Sequence, residues 1–397
     1  MRFSTNRILT SHAGVLPRPP ELDAVMGPAF GSATALDEDA FQRMVPAMIK
    51  DVVKRQADIG IDVVNDGEYG KKGGFSNYVR ARLAGLEAIT SDKTPPARNV
   101  SARDQQEFPG FYENNFGGFG AFAARSAGTA PPVRINQPIF CTSPIRYVGQ
   151  EAVEFDIANM KAAMQGVTGV EGYLPAIAPG TIEHWLWNGC YKDEREFLFA
   201  IAEAMHDEYK AITDAGFILQ IDDPDLPDGW QMFPEMSIDE YRAYAQLRVD
   251  ALNHALRDCP REQIRLHVCW GSGHGPHKHD LPLEHLIDII FAVKAQCYSI
   301  EASNVRHEHE VQVFETVKLP QDSSLMPGVI GHSSDLIEHP ELIAMRLVRY
   351  ANLVGRENVI AGTDCGLGAR VAHPEIAWAK LAAMVEGAKI ASQRLWP

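Results

Sequence analysis

Cysteine is scarce in this chain: six residues in 397. Cys141, Cys190, Cys259, Cys269, Cys297 and Cys365 are scattered, without the dense spacing of a disulfide scaffold, so reduced thiols are expected. Basic residues are also in short supply. The 37 Lys and Arg stand against 52 Asp and Glu, giving a formal net charge of −15. That surplus repels a polyanion such as nucleic acid, and an anionic membrane surface likewise. Long apolar runs are missing: "LIDIIFAV" at 286–293 is broken by Asp288 and too short to cross a bilayer. The first residues, "MRFSTNRILT", lack the apolar stretch of a signal peptide. No internal repeat or low-complexity tract occurs. Together these absences argue against a secreted disulfide protein, a helical membrane protein and a nucleic-acid binder, and they predict a cytoplasmic protein.

What the chain does have is alternation. Short β-like runs fall at 7–11, 62–68, 139–145, 172–178, 217–223, 264–270, 297–302, 325–330 and 359–364. Amphipathic helical stretches lie between many of them. In 194–216, Phe197, Ile201, Met205 and Tyr209 recur at four-residue spacing and Gly216 supplies a stop. Residues 237–256 behave the same way, with Ser237 as N-cap. Strand–helix alternation along a whole chain predicts a parallel sheet with helical crossovers, here an α/β (β/α)8 TIM barrel forming a single domain over 1–397. Nine candidates for eight places leave one strand peripheral. A long inserted segment around residues 90–138, rich in Gly, Pro and aromatics, reads as a lid or an oligomer contact.

The stretch "RLHVCWG" at 265–271 raises the question of function. Side chains at i and i+2 share a face of a strand, so His267 and Cys269 point into the same space. On its own, that pair is compatible with a buried cysteine beside a hydrogen-bonded histidine. Other strand ends change the balance. Glu68 closes "VVNDGE", Asp222 and Asp223 close "ILQIDD", Glu301 closes "YSIE" and Cys365 follows "VIAGTD". The C-terminal ends of barrel strands are the rim where catalytic groups collect. The best ligand set is His267, Cys269, Glu301 and Cys365, which suits Zn2+ and disfavours magnesium or calcium. Cys141, Cys190, Cys259 and Cys297 read as packing residues.

Several residues keep two readings. Arg18 makes a surface ion pair or clamps a carboxylate or sulfonate at the barrel mouth. Trp185, with Trp187, Phe111, Tyr112 and Phe116, packs the core and lid or lines a pocket for a flat ligand. His274, His277 and His279 form a solvated polar loop or contact substrate above the metal.

The His-x-Cys pair, the Glu of "SIEAS" and the segment "TDCGLGAR" resemble the zinc site of the cobalamin-independent methionine synthase family. "GFILQIDDPDL", "VVNDGE" and "AGVLPRPPEL" are similar to further strands of its catalytic barrel, and the likeness runs from about residue 8 to about residue 390. The chain is closer to the short one-barrel members, which include epoxyalkane:coenzyme M transferase. The resemblance implies zinc on the four ligands, and a small-molecule thiol that attacks a methyl or alkyl donor. The donor is open between methyltetrahydrofolate, with tetrahydrofolate as the product co-substrate, and another methylated or electrophilic small molecule. It further implies that Glu68 and Asp222 meet the polar end of a substrate, and that His332 gives a proton to the leaving group. Val15 stands where the family has a serine that helps hold the homocysteine carboxylate, so homocysteine is expected to be a poor acceptor. Three alternatives stay open: a demethylase passing a methyl group from a small methylated compound to a folate, a zinc hydrolase, and a non-catalytic barrel with structural zinc. The sequence leaves monomer and homodimer equally open.

Overall fold

The computed structural model describes residues 1–26, 37–72, 74, 77–89, 99–113, 138–271, 273, 275–368 and 370–397. Eleven strands occur in chain order among these residues. They are β1 (Leu9–Thr10), β2 (Val63–Val64), β3 (Leu83–Ala88), β4 (Ile139–Tyr147), β5 (Glu171–Ile177), β6 (Leu186–Asn188), β7 (Ile218–Asp222), β8 (Ile264–Val268), β9 (Cys297–Ile300), β10 (Ser324–Ile330) and β11 (Ile360–Thr363). Eight of them form one parallel sheet in the order β1-β11-β10-β9-β8-β7-β5-β2. Each strand's neighbours in space are its neighbours in sequence, which makes this a (β/α)8 barrel.

The seam between β1 and β2 is closed differently from the rest. Asp62 N–H donates to Thr10 O at 3.0 Å, Ser11 Oγ donates to Val63 O at 3.0 Å, and the Asp62 carboxylate accepts from Thr10 N–H at 2.9 Å. A side chain thus does part of the work of a strand ladder.

Strands β7, β8, β9, β10 and β11 are buried along their whole length, while β5 is partly exposed over its first two residues. Helices cover the outer face and the strands' own side chains fill the inside, so both faces are buried and the strands read as largely apolar runs. The helix Glu194–Asp214 buries Phe197, Ile201, Met205 and Tyr209. Ser237 caps the helix Ile238–Ala255 in a reciprocal arrangement with Glu240. No helix among the described residues is long and apolar enough to cross a membrane.

The peripheral candidate is the one at 139–145. It lies in β4, in a separate three-stranded sheet ordered β3-β4-β6. Buried Arg82 ties that sheet to the barrel helices through Asp156 at 2.5 Å and Glu208 at 3.1 Å. Of the insertion around 90–138, residues 90–98 and 114–137, Phe116 included, lie outside the described residues. Residues 99–113 contain two short helices, Ala102–Glu107 and Pro109–Glu113. Arg103 donates to the carbonyls of Trp230, Phe233 and Met236 at 2.6–2.9 Å, and Asp104 accepts from the His279 N–H at 2.9 Å. This part of the insertion therefore packs on the loops that follow β7 and β8, at the rim of the barrel.

Candidate active site

The strand register brings His267, at the end of β8, level with Ser299 on β9. His267 Nδ1 and Ser299 Oγ share a hydrogen bond of 3.0 Å, which fixes the ring and leaves buried Nε2 without a protein partner. Cys269 follows on the same face, and its thiol donates to the Cys365 sulfur at 3.9 Å. One ligand atom from each of His267, Cys269 and Cys365 lies within 4.8 Å of the others. The hydrogen bond from Cys269 holds the Cys365 thiol well below its ordinary range, helped by His267 and His332 against the opposing effect of burial. The same contact pushes the Cys269 thiol up.

Glu301 falls in an adjoining group, with His332 and Asp364. Its two oxygens accept from Trp270 N–H at 2.8 Å and from Asn304 Nδ2 at 2.6 Å. Burial, followed by the charge of Asp364, pushes its carboxyl up to about 8. Both ring nitrogens of His332 are buried without a hydrogen-bond partner, and burial lowers its pKa. Of the four expected ligands, three converge and the fourth lies beside them on the neighbouring strand. The three fit a soft divalent metal: two sulfurs 3.9 Å apart, with an imidazole nitrogen lacking a hydrogen-bond partner.

The adjoining wall comes from β7, paired with β8 so that Asp222 lies level with His267, and from the chain after β1 and β2. Asp222 accepts from Gln220 Nε2 at 2.7 Å, and the same amide donates to Ala13 O at 2.8 Å. Burial pushes Asp222 up to about 7, with His267 opposing. Glu68 adopts φ 61, a left-handed backbone that costs a non-glycine residue about 1–3 kcal/mol and that clusters at functional sites. Its carboxylate occupies space that Gly14 leaves open: a Cβ at residue 14 would stand 2.5 Å from Glu68 Oε1. Arg18 lies near Glu68, and its Nε and Nη1 are buried without partners. Val15 packs beside Cys365, where a Cβ on Gly366 would come within 2.5 Å of Val15 Cγ1. Trp185 is half-buried at the end of the helix Pro179–His184.

The loop histidines take protein partners. His277 bonds Asp280 at 2.9 Å and Gly273 O at 2.9 Å, while exposed His279 bonds Glu107 of the insertion at 2.7 Å. His274 lies outside the described residues. Sequence reasoning missed Asp364, which accepts from Ala302 N–H and Ser303 N–H at 2.8 Å each and so ties β11 to the loop carrying Glu301. It also missed Asn304 and Ser299. Asp364 ends an apolar strand beside Cys365 and was detectable on that signal. The positions of Ser299 and Asn304 depend on strand register and loop path, which the sequence does not display.

Residues 143–390 match the family model described as cobalamin-independent synthase, catalytic domain. A methionine synthase from Saccharolobus islandicus is 28% identical over 220 residues, covering 55% of this chain and 57% of that protein. One from Thermococcus kodakarensis is 26% identical over 226 residues, covering 56% and 58%. The chain thus spans little more than half the length of the curated relatives it matches. Among solved structures, a B12-independent methionine synthase from Shewanella sp. W3-18-1, in complex with selenomethionine, superposes with a TM-score of 0.68 at 19% identity, over 98% of this chain and 99% of that one. A methyltransferase from Methanosarcina mazei gives 0.53 at 13% identity, over 97% and 94%. These two likenesses show the shared fold.

Proposed function

Because the chain belongs to the cobalamin-independent synthase family, we propose that it transfers a methyl or other small alkyl group at a thiolate sulfur, using zinc held by His267, Cys269, Cys365 and Glu301. The observation behind this reading is the pair of sulfurs 3.9 Å apart beside a buried imidazole nitrogen with no protein partner. When bound there, zinc lowers the pKa of a substrate thiol and keeps its thiolate reactive near neutral pH.

The protein's own groups divide the remaining tasks. Arg18 offers two unpaired donor nitrogens to an anionic group of the substrate. Glu68 and Asp222 take hydrogen bonds from its polar end, and Gln220 keeps the Asp222 carboxyl in place. Trp185 presents a face to a flat donor. As the sulfur bonds to the donor's alkyl carbon, the bond from that carbon to its leaving atom breaks, and His332 supplies the proton that atom needs. The donor is methyltetrahydrofolate or another small methylated molecule. Val15 presents methyl groups where the family has a hydroxyl, which argues against homocysteine as the preferred acceptor.

Glu301 already has a protein donor on each oxygen, which favours a site whose fourth position opens to an incoming ligand. Metal analysis after dialysis should find about one zinc per chain. Titrating cobalt-substituted protein with a panel of thiols should produce a sulfur-to-cobalt charge-transfer band. Metal content near zero, or no band with any thiol, rejects the proposal, and turnover that needs no thiol points to a hydrolase instead.

A further inference from the structure

Cys141 and Cys190 are 49 positions apart in a sequence that gives no hint of their meeting, and the small sheet brings them together. Cys141 lies fully buried in β4, its thiol donating to Ser143 O at 3.2 Å. Strand β6 pairs in parallel with β4, Asn188 opposite Cys141. The contact continues one residue further, where Gly189 N–H donates to Cys141 O at 3.0 Å. Glycine is required for that approach, because a Cβ at 189 would stand 2.8 Å from the same oxygen. Cys190 follows, exposed at the surface, near enough for its thiol to act electrostatically on that of Cys141.

The turn around Cys190 is held against β4. Asn188 Oδ1 accepts from Cys190 N–H at 3.2 Å and from Tyr191 N–H at 2.8 Å, and the Tyr191 hydroxyl accepts from Ile145 N–H at 2.8 Å. Strand pairing places Asn188 opposite Cys141 at the roughly 4.7–4.9 Å of neighbouring strands, and the Gly189 hydrogen bond keeps the next residue, Cys190, against the same strand.

We propose that Cys141 and Cys190 are a thiol modification site that closes to a reversible disulfide when the protein meets a peroxide. Exposed Cys190 reacts first. Its thiolate attacks one peroxide oxygen, the O–O bond breaks, and the departing hydroxide leaves as water with a proton, giving a sulfenic acid on Cys190. The Cys141 sulfur then attacks the Cys190 sulfur, the S–O bond breaks, and the hydroxide leaves as water with the Cys141 proton. Two electrons pass from the two sulfurs to the peroxide. Burial, with the neighbouring Cys190, pushes the Cys141 thiol up to about 11, so the peroxide meets exposed Cys190 and not Cys141. A small dithiol reverses the bridge by exchange. The bridge locks the chain just after β6, which begins one residue beyond Trp185.

The test uses the full chain loaded with zinc, treated with a small excess of hydrogen peroxide, alkylated, digested and mapped by mass spectrometry. A linked peptide pair holding Cys141 and Cys190 is expected, with the denatured thiol titre falling by two from the six that the sequence holds. Dithiothreitol should restore the titre. Cys190→Ser, at an exposed position, should abolish the link, and Cys259→Ser should leave it intact. If the only link joins Cys269 to Cys365, or if Cys190 accumulates as sulfinic acid while Cys141 stays reduced, the proposal is wrong.

Discussion

At the lower end of the barrel, where the strands begin, the Asp62 carboxylate accepts from both Arg7 terminal nitrogens, at 2.8 and 2.6 Å, and from the Thr10 N–H. Ser4 Oγ donates to Val359 O at 2.6 Å and accepts from Leu9 N–H at 3.0 Å. At the upper end, neither nitrogen of His332 has a partner, nor has Nε2 of His267, nor Nε and Nη1 of Arg18. Glu68 also carries a left-handed backbone there. A buried polar atom without a partner costs about 1–3 kcal/mol. The lower rim therefore meets most of its charged groups with partners inside the protein, Gln296 Oε1 and Arg265 Nε being exceptions, whereas the upper rim gathers unpartnered imidazole and guanidinium nitrogens around one site. Stability and reactivity are assigned to opposite ends of the same strands.

Substitutions at the two ends should separate these roles. Cys365→Ser should abolish activity and zinc retention, exceeding the roughly 10–100-fold cost of losing an outer partner of a metal ligand. Its circular dichroism and melting curve should stay close to the parent's. Retained zinc and turnover would remove Cys365 from the ligand set.

His332→Ala should lower kcat by about 10²–10⁴-fold, the usual contribution of a positioned proton donor. The thiol-induced cobalt band should survive, because binding does not need this ring. Loss of the band together with kcat would assign His332 to binding.

Val15→Ser should improve kcat/KM for homocysteine about ten- to a hundred-fold, the value of one hydrogen bond to a buried carboxylate. Steady-state kinetics of parent and variant, side by side, would settle this. No change would mean that residue 15 does not face the acceptor.

The lower rim should respond in the opposite sense. Asp62→Ala leaves the Thr10 N–H and the Arg7 guanidinium without their acceptor and should lower stability by about 1–3 kcal/mol. Zinc content and kcat should hold, as measured by denaturant unfolding and assays below the transition.

A pH dependence completes the comparison. Burial raises Asp66 and Asp222 to about 7, from an ordinary carboxylate value of 3.8. Between those values the folded state keeps protons that the unfolded chain releases. The stability of metal-free protein should therefore fall as pH rises from about 4 to 7. Replacing each Asp by Asn should lessen the slope, the remainder coming from Glu301 and Asp223, which burial also raises, and an unchanged slope would place its origin elsewhere.

The barrel was legible because its strands are buried on both faces and read as unbroken apolar runs. Two-residue β1 and β2 fall inside longer expected strands because the chain leaves the ladder quickly, while its path continues to the rim. The run at 139–145 looked equally apolar, but Thr142, Ser143 and Arg146 mark a sheet with a solvent face, and β4 is half-exposed accordingly. The rim residues were legible because an acid, a thiol or an imidazole at the end of a buried strand has little packing reason to be there. What escaped detection depends on pairing between distant strands: Ser299 behind His267, Asp364 beneath the Glu301 loop, and Cys141 against Cys190.

The seam beside β1 has a consequence for the order in which the fold is made. The hydrogen bond from Ser4 to Val359 joins residues 355 positions apart, and that from Ile8 N–H to Ser392 Oγ joins residues 384 apart. Contacts of such separation bear the full entropy of loop closure before they return anything. During synthesis the first strand must wait, unpaired on one side, until β11 and the helix Pro374–Leu395 have left the ribosome. The earlier strands can pair with one another in the meantime. Closing the circle is then a late step, and an open barrel with an exposed edge is the species most prone to associate with its own kind.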